Sequence, residues 1–297
     1  MSTPTRLLAA LFLLAANLTS VPLVAAPIDQ AGWVARKQVV DLPNGQRLAY
    51  VELGDPTGEP VLLLHGYTDT GRIWTALAPQ LMRYRLLIPD QRGHGQSAKP
   101  ECCYALADFA WDARLFLDAM KVRRAHVIGH SLGSMVAQAF AASYPDRTGK
   151  LVLIGSTGKA PLGRTDWMWR EIMALKAPVA SNAEFLKAWG PDSSPTPVEP
   201  ELARYNAQEI AEVPLHVWNG VLREVLDFPV GRYGADIKAP TLVLSGGKDA
   251  LFDRSHHDAL LRAIPQAEGQ VFPDLGHNLM LERPHEVGPP LLAFLAG

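Results

Sequence analysis

From Lys37 onward, short apolar runs alternate with longer stretches in which apolar residues recur every three or four positions. Lys37–Asp41 and Arg47–Leu53 flank a turn at Pro43-Asn44-Gly45, and Asn-Gly between two apolar-rich runs signals a β-hairpin. Pro60–Leu64 is a continuous apolar run ending in His65-Gly66, which suits a strand buried on both faces of a parallel sheet. A helical pattern follows from Ile73 through Leu77 to Leu81. The alternation continues with strand Arg85–Ile88, helix Ala105–Met120, strand Ala125–Ile128, helix Ser131–Tyr144 and strand Leu151–Ile154. Strands separated by helix-length segments predict right-handed βαβ units, hence an α/β protein with a parallel sheet and helices on both faces.

The rhythm breaks between about Thr157 and Asp236. That stretch is helical in pattern, carries Trp167, Trp169, Trp189 and Trp218, and includes a Pro-rich segment, Pro191–Pro200, that reads as an extended loop. Strands and helices resume with Thr241–Leu244, a helix near Asp258–Ile264, a strand near Gly269–Phe272 and a last helix from about Pro284. An insertion that leaves a sheet and returns to it is expected to be a lid or cap, and its aromatic residues suit a pocket wall.

Composition narrows the class. Of 297 residues, 48% are hydrophobic and 20% charged, values of a globular chain with a sizeable core. The net charge of −2 and the short Lys/Arg clusters lack the basic footprint of a nucleic-acid binder, so no nucleic-acid partner is expected. Residues 1–26 read as a signal peptide: Arg6 supplies the positive end, Leu7–Ala16 the apolar stretch, and Val24-Ala25-Ala26 a small-residue cleavage site. Asn17, Thr19, Ser20 and Pro22 interrupt the apolar run, so no stable membrane span is expected after processing, and the mature chain would be secreted or periplasmic. The two cysteines, Cys102 and Cys103, are adjacent and form either two thiols or a vicinal disulfide.

Gly129-His130-Ser131-Leu132-Gly133 fits G-x-S-x-G between a predicted strand and a predicted helix, the setting in which this motif lifts a serine hydroxyl clear of the sheet. Glycines two residues before and after Ser131 avoid clashes in the sharp turn, and the following helix turns its free N–H groups toward the site. A serine hydroxyl needs a base. His277, after a strand and before the last helix, is the best placed of nine histidines. His65 and His94 precede glycines in loops and are expected to brace backbone, while His130 is expected to point away from Ser131. Asp249, just past a strand, is the candidate to orient His277; Asp253 is the nearest rival and is expected to cap the next helix.

Four motifs in order, His65-Gly66-Tyr67, Asp90-Gln91-Arg92-Gly93-His94-Gly95, Gly129-His130-Ser131-Leu132-Gly133 and Asp249 with Gly276-His277, resemble the α/β-hydrolase superfamily in its serine esterase/lipase-like branch. The resemblance covers residues 37–297 and implies an α/β-hydrolase fold: a mostly parallel eight-stranded sheet flanked by helices. The core would span 27–156 and 237–297, with a helical cap over 157–236. It implies that the backbone N–H groups of Tyr67 and Leu132 form an oxyanion hole. The Tyr67 side chain is expected either to line the pocket or to pack the loop, and Trp74 to belong to core or pocket wall. Serine rather than aspartate at position 131 makes haloalkane dehalogenase and epoxide hydrolase activities improbable. Ser134 stands where many relatives have glycine and is expected to narrow the elbow slightly.

The leading expectation is hydrolysis of a carboxylic ester of a small or medium apolar substrate, through an acyl-enzyme on Ser131, with no metal or organic cofactor. The same residues would serve a lactone, thioester, amide or carbon–carbon bond, since pattern does not separate these. A ligand receptor on a hydrolase scaffold, without turnover, is the alternative from another class. Oligomeric state is open.

Overall fold

The computed structural model describes residues 26–159, 163–189, 194–227 and 230–297. All of the expected signal peptide except Ala26, and part of the Pro191–Pro200 loop, lie outside the described residues. The elements in chain order are β1 Gln38–Asp41, β2 Arg47–Gly54, β3 Pro60–Leu64, β4 Arg85–Pro89, α1 Leu106–Ala119, β5 Ala125–His130, α2 Leu132–Ser143 and β6 Thr148–Ile154. Four helices follow, α3 Trp167–Ala174, α4 Ala183–Trp189, α5 Pro200–Ala211 and α6 Leu215–Asp227. The chain then returns through β7 Thr241–Gly246, α7 Arg254–Ala263, β8 Ala267–Phe272, α8 Leu279–Glu282 and α9 Pro284–Ala296.

The eight strands form one sheet in the order β1-β2-β4-β3-β5-β6-β7-β8. The β1–β2 and β2–β4 pairs are antiparallel, and the other five pairings are parallel. β1 and β2 make the expected hairpin, with Asp41 opposite Arg47 and Gly45 at φ +81° in the turn, where a side chain would be strained. Along β3 the side chains alternate between two cores, as strand geometry requires. Leu62 and Leu64 pack with Phe109, Phe116 and Phe140 of α1 and α2 on one face. Val61 and Leu63 pack with Trp74, Leu279, Val287 and Leu291 on the other. Trp74 thus belongs to the core.

The helix expected over Ile73–Leu81 is instead two 3₁₀ segments, Gly71–Ala76 and Ala78–Gln80. Pro79 explains the break, since it has no N–H and its ring clashes with the carbonyl four residues back. α7 starts at Arg254, four residues earlier than expected, because the Asp253 side chain accepts from Ser255 N at 2.9 Å and caps it. β8 begins two residues earlier than expected, at Ala267.

Much of the Asp90–Gly95 motif serves the scaffold. Asp90 Oδ2 lies 2.6 Å from Lys37 Nζ, and its Oδ1 accepts from Gly71 N at 3.0 Å, so one carboxylate ties three segments together. Arg92 grips Asp112 of α1 through Nε at 2.6 Å and a terminal nitrogen at 2.7 Å, and also donates to the Cys103 carbonyl. Cys102 and Cys103 themselves form a vicinal disulfide. Because both Arg92 and Asp112 are buried, Asp112→Ala would strand a guanidinium in the interior. Urea denaturation should show a loss of about 3–5 kcal/mol in that variant.

Candidate active site

The parallel strands all point their C-terminal ends to one edge, and the loops leaving β3, β5, β7 and β8 meet there. Such edges are where open α/β sheets bind ligands. β5 runs into α2 through Ser131, whose φ of 51° and ψ of −120° are costly for a residue with a side chain. A methyl group added at Gly129 would lie 2.2 Å from the Gly133 carbonyl oxygen, and one at Gly133 would lie 2.1 Å from that of Leu64. Only glycine fits at either position. The Ser134 hydroxyl donates to the Ser131 carbonyl at 2.5 Å and lies 2.7 Å from Ser156 Oγ.

His277 follows β8. Its Nδ1–H donates to Asp249 Oδ2 at 2.8 Å, which leaves Nε2 as the acceptor. Nε2 is buried without a partner, and His277 and Ser131 line the same cavity. Burial pushes the Asp249 carboxyl up. The charge and hydrogen bond of His277, with the N–H groups of Phe252 and Leu251, outweigh this and hold it below the ordinary carboxylate range. Those two N–H groups each reach Asp249 Oδ1 at 2.8 Å. The rival Asp253 spends its carboxylate on the α7 cap.

Three other histidines brace this edge. His65 Nδ1–H donates to the Gly66 carbonyl at 2.9 Å, and its Nε2 accepts from Gln91 N at 2.8 Å. His94 donates to the Arg92 carbonyl at 2.8 Å and accepts from Thr68 N at 3.3 Å. His130 donates through Nε2 to the His277 carbonyl at 3.1 Å, so it steadies the loop of the candidate base. Burial drives all three toward the neutral form, His94 to about 4 and, with added repulsion from His277, His130 to about 3. The N–H groups of Tyr67 and Leu132 donate to no described group. Leu132 is the first residue of α2, where an N–H has no partner within the helix.

The cavity measures about 370 Å³. Leu132 and Met135 of α2, Trp167 and Met168 of α3, Trp189 of α4, Ile210 of α5 and Val221 and Leu222 of α6 make most of its wall apolar. The insertion between β6 and β7 therefore builds much of the pocket. Trp218 packs against Tyr67 with ring centres 5.5 Å apart, and both it and Trp169 stand outside the cavity lining. Tyr67 fills both of its expected roles: it lines the cavity, and its hydroxyl donates to the Trp218 carbonyl at 2.6 Å.

Three residues are not singled out by the sequence pattern. Buried Glu282 accepts from Gly276 N at 3.1 and 3.0 Å and so fixes the turn that carries His277. Asp69 and Asn206 also line the cavity, joined by an Asn206 Nδ2–Asp69 Oδ1 hydrogen bond of 3.2 Å. Burial pushes the Asp69 carboxyl up to about 6, against the pull of Asn206 and His277 and with some help from Glu209. A carboxylate four residues past His65 is the one available hint of Asp69.

A family model for the alpha/beta hydrolase fold matches residues 59–284. Lipase 1 of Psychrobacter immobilis is 29% identical over 271 residues, which cover 85% of this chain and 82% of that protein. Lipase 3 of Moraxella sp. (strain TA144) is 27% identical over 271 residues, covering 86% and 83%. The crystal structure of a hydrolase from Pseudomonas aeruginosa PA01 superposes with a TM-score of 0.77 at 30% identity, covering 88% of this chain and 98% of that one.

Asp253→Ala should cost about 1 kcal/mol in urea denaturation, the usual worth of a helix N-cap. Asp249→Ala should cost more, since it strips buried His277 and two loop N–H groups of their acceptor. The raised Asp69 pKa gives a stability effect of opposite sign to the usual carboxylate. The folded state binds the proton more tightly than the unfolded chain, so stability falls as pH rises from the ordinary carboxylate pKa through about 6. Asp69→Asn should therefore stabilise the protein more at pH 8 than at pH 4, as melting midpoints at the two values would show.

Proposed function

The chain belongs to the α/β-hydrolase family, and on that premise we propose that it hydrolyses carboxylic esters of small or medium apolar substrates through an acyl-enzyme on Ser131. The observation that carries this reading is the buried His277–Asp249 hydrogen bond, which leaves an unpartnered Nε2 in the wall of the cavity that Ser131 also lines. The names of the two similar lipases and the apolar cavity wall favour an ester over a more polar bond.

In the proposed reaction, Ser131 Oγ attacks the ester carbonyl carbon and its proton passes to His277 Nε2. Asp249 stabilises the resulting imidazolium and holds its orientation. The carbonyl oxygen takes the negative charge and receives the N–H groups of Tyr67 and Leu132, each worth about 3–4 kcal/mol in the transition state. The C–O bond to the alcohol breaks, and His277 returns the proton to the leaving oxygen. Water then attacks the acyl-enzyme, giving its proton to Nε2. Ser131 leaves with that proton and the carboxylic acid is released.

Helices α3–α6 act in this scheme as a cap that shapes the substrate pocket. We also propose that the chain is exported after loss of residues 1–26, to a compartment in which the Cys102–Cys103 disulfide stays oxidised.

Hydrolysis of p-nitrophenyl esters of rising acyl length tests the reading. Wild type should turn over short to medium esters with an optimum set by the cavity. Ser131→Ala should lose activity by roughly ten-thousandfold or more while its melting curve stays cooperative. A folded wild type that turns over none of these esters would sink the proposal.

A further inference from the structure

The loop leaving β3 brings a carboxyl that the proposed reaction does not use to the wall of the cavity. Asp69 Oδ1 accepts from Asn206 Nδ2 of α5, and no described group donates to Oδ2. None of the described ion pairs involves Asp69, and the nearby Arg72 is committed to Glu209 at 2.6 Å and to the Gln30 carbonyl at 2.7 Å. Asn206 Oδ1 is itself buried without a partner. Two acceptor-bearing residues, one from the sheet edge and one from the insertion, thus line the cavity, and no described donor meets their free oxygens.

The distance to the reacting centre is short. A methyl group added at Gly66 would lie 2.7 Å from Asp69 Oδ2 and 3.3 Å from Ser131 Cβ. Asp69 therefore sits within reach of a substituent two to four bonds from a carbonyl carbon bound to Ser131. An ionised carboxylate there, with no counter-charge, opposes the negative charge that develops on the carbonyl oxygen. It becomes favourable when the substrate itself brings a donor, most of all a cation. The rest of the wall, with Met135, Ile210, Val221 and Leu222, suits an apolar remainder.

We propose that Asp69 and Asn206 form a specificity subsite that selects esters carrying a hydrogen-bond donor, best a protonated amine, close to the scissile carbonyl. The inference rests on the ester-hydrolase reading and names its substrate class. Lipid-like bulk fills the apolar part of the pocket, and the donor fixes the orientation.

The test compares isosteric pairs in which an ammonium replaces an alkyl group. Ethyl 3-aminopropanoate is set against ethyl butanoate, placing the donor on the acyl side. The 2-(dimethylamino)ethyl ester of butanoic acid is set against the 3-methylbutyl ester, placing it on the alcohol side. Released product is quantified for wild type and Asp69→Asn. In wild type at pH 8, kcat/KM should favour the cationic member of one pair by roughly tenfold or more, and that pair identifies the side. In Asp69→Asn the ratio should fall toward one.

The wild-type ratio should also fade as pH drops through about 6, where Asp69 takes up a proton. The other groups facing Asp69 are Asn206 and Glu209 of α5, His277, and His130 behind Gly66. Glu209 is held by Arg72 and Thr70, His130 is neutral, and His277 serves both members of a pair alike, so it drops out of their ratio. Should Asp69→Asn fail to fold, the wild-type ratios and their pH dependence decide. Plain esters turned over with no preference for either cation, or a preference untouched in Asp69→Asn, would overturn the subsite alone. No turnover of any ester would overturn the hydrolase reading and the subsite with it.

Discussion

The backbone at Ser131 is bent into a conformation that costs on the order of 1–3 kcal/mol, and the architecture around it exists to hold that bend. Parallel pairing of β5 with β6 brings the Ile154 carbonyl to accept from Ser131 N at 3.0 Å. Parallel pairing with β3 brings the Leu64 carbonyl so close to Gly133 that no side chain fits between them. The first turn of α2 must then start at Leu132, which leaves its N–H groups directed at the same edge. Loosening the β3–β5–β6 contact would release the strain and lose the exposed hydroxyl together with the helix terminus beside it.

Around this bend the protein keeps its charges few. His65, His94 and His130 all sit buried and neutral, each using both its backbone contacts and its size to position loops. A protonated histidine at any of these places would compete with the imidazolium that the proposed reaction forms on His277. The full negative charge meant for that imidazolium resides on Asp249, which the N–H groups of Leu251 and Phe252 keep ionised despite burial. Two buried ion pairs are placed further out, where Lys37–Asp90 ties the segment before β1 to the end of β4 and Arg92–Asp112 ties the next loop to α1.

The loop after β3 and the insertion between β6 and β7 are tied together almost residue by residue. Tyr67 reaches Trp218, Thr68 accepts from Trp189, Asp69 accepts from Asn206, and Thr70 and Arg72 both hold Glu209. Any shift of this insertion is therefore felt by the segment that carries the Tyr67 N–H. In the proposed reaction, substrate selection by Asp69 and stabilisation of the reacting carbonyl by the Tyr67 N–H would thus meet on one short stretch of chain.

Rules that act within a few residues are legible in the amino-acid sequence itself. Alternating apolar runs name the parallel sheet, Asn44-Gly45 its opening hairpin, and Gly129 the strained turn, since each reflects geometry within a few residues; Gly133 is read from the same motif, although the group it makes room for is the Leu64 carbonyl of β3. The order Ser131, Asp249, His277 points to the candidate site because these residues follow strand ends. Where Pro79 breaks a helical pattern, the pattern misleads. Glu282 under Gly276, His130 on the His277 carbonyl and the Asp69–Asn206 pair are decided by the tertiary structure alone. The His130–His277 and Asp69–Asn206 partners lie 147 and 137 residues apart, so the first bond forms only once the ends of β5 and β8 meet and the second only once the insertion packs on the sheet edge, while Glu282 reaches Gly276 N only in the turn that carries His277.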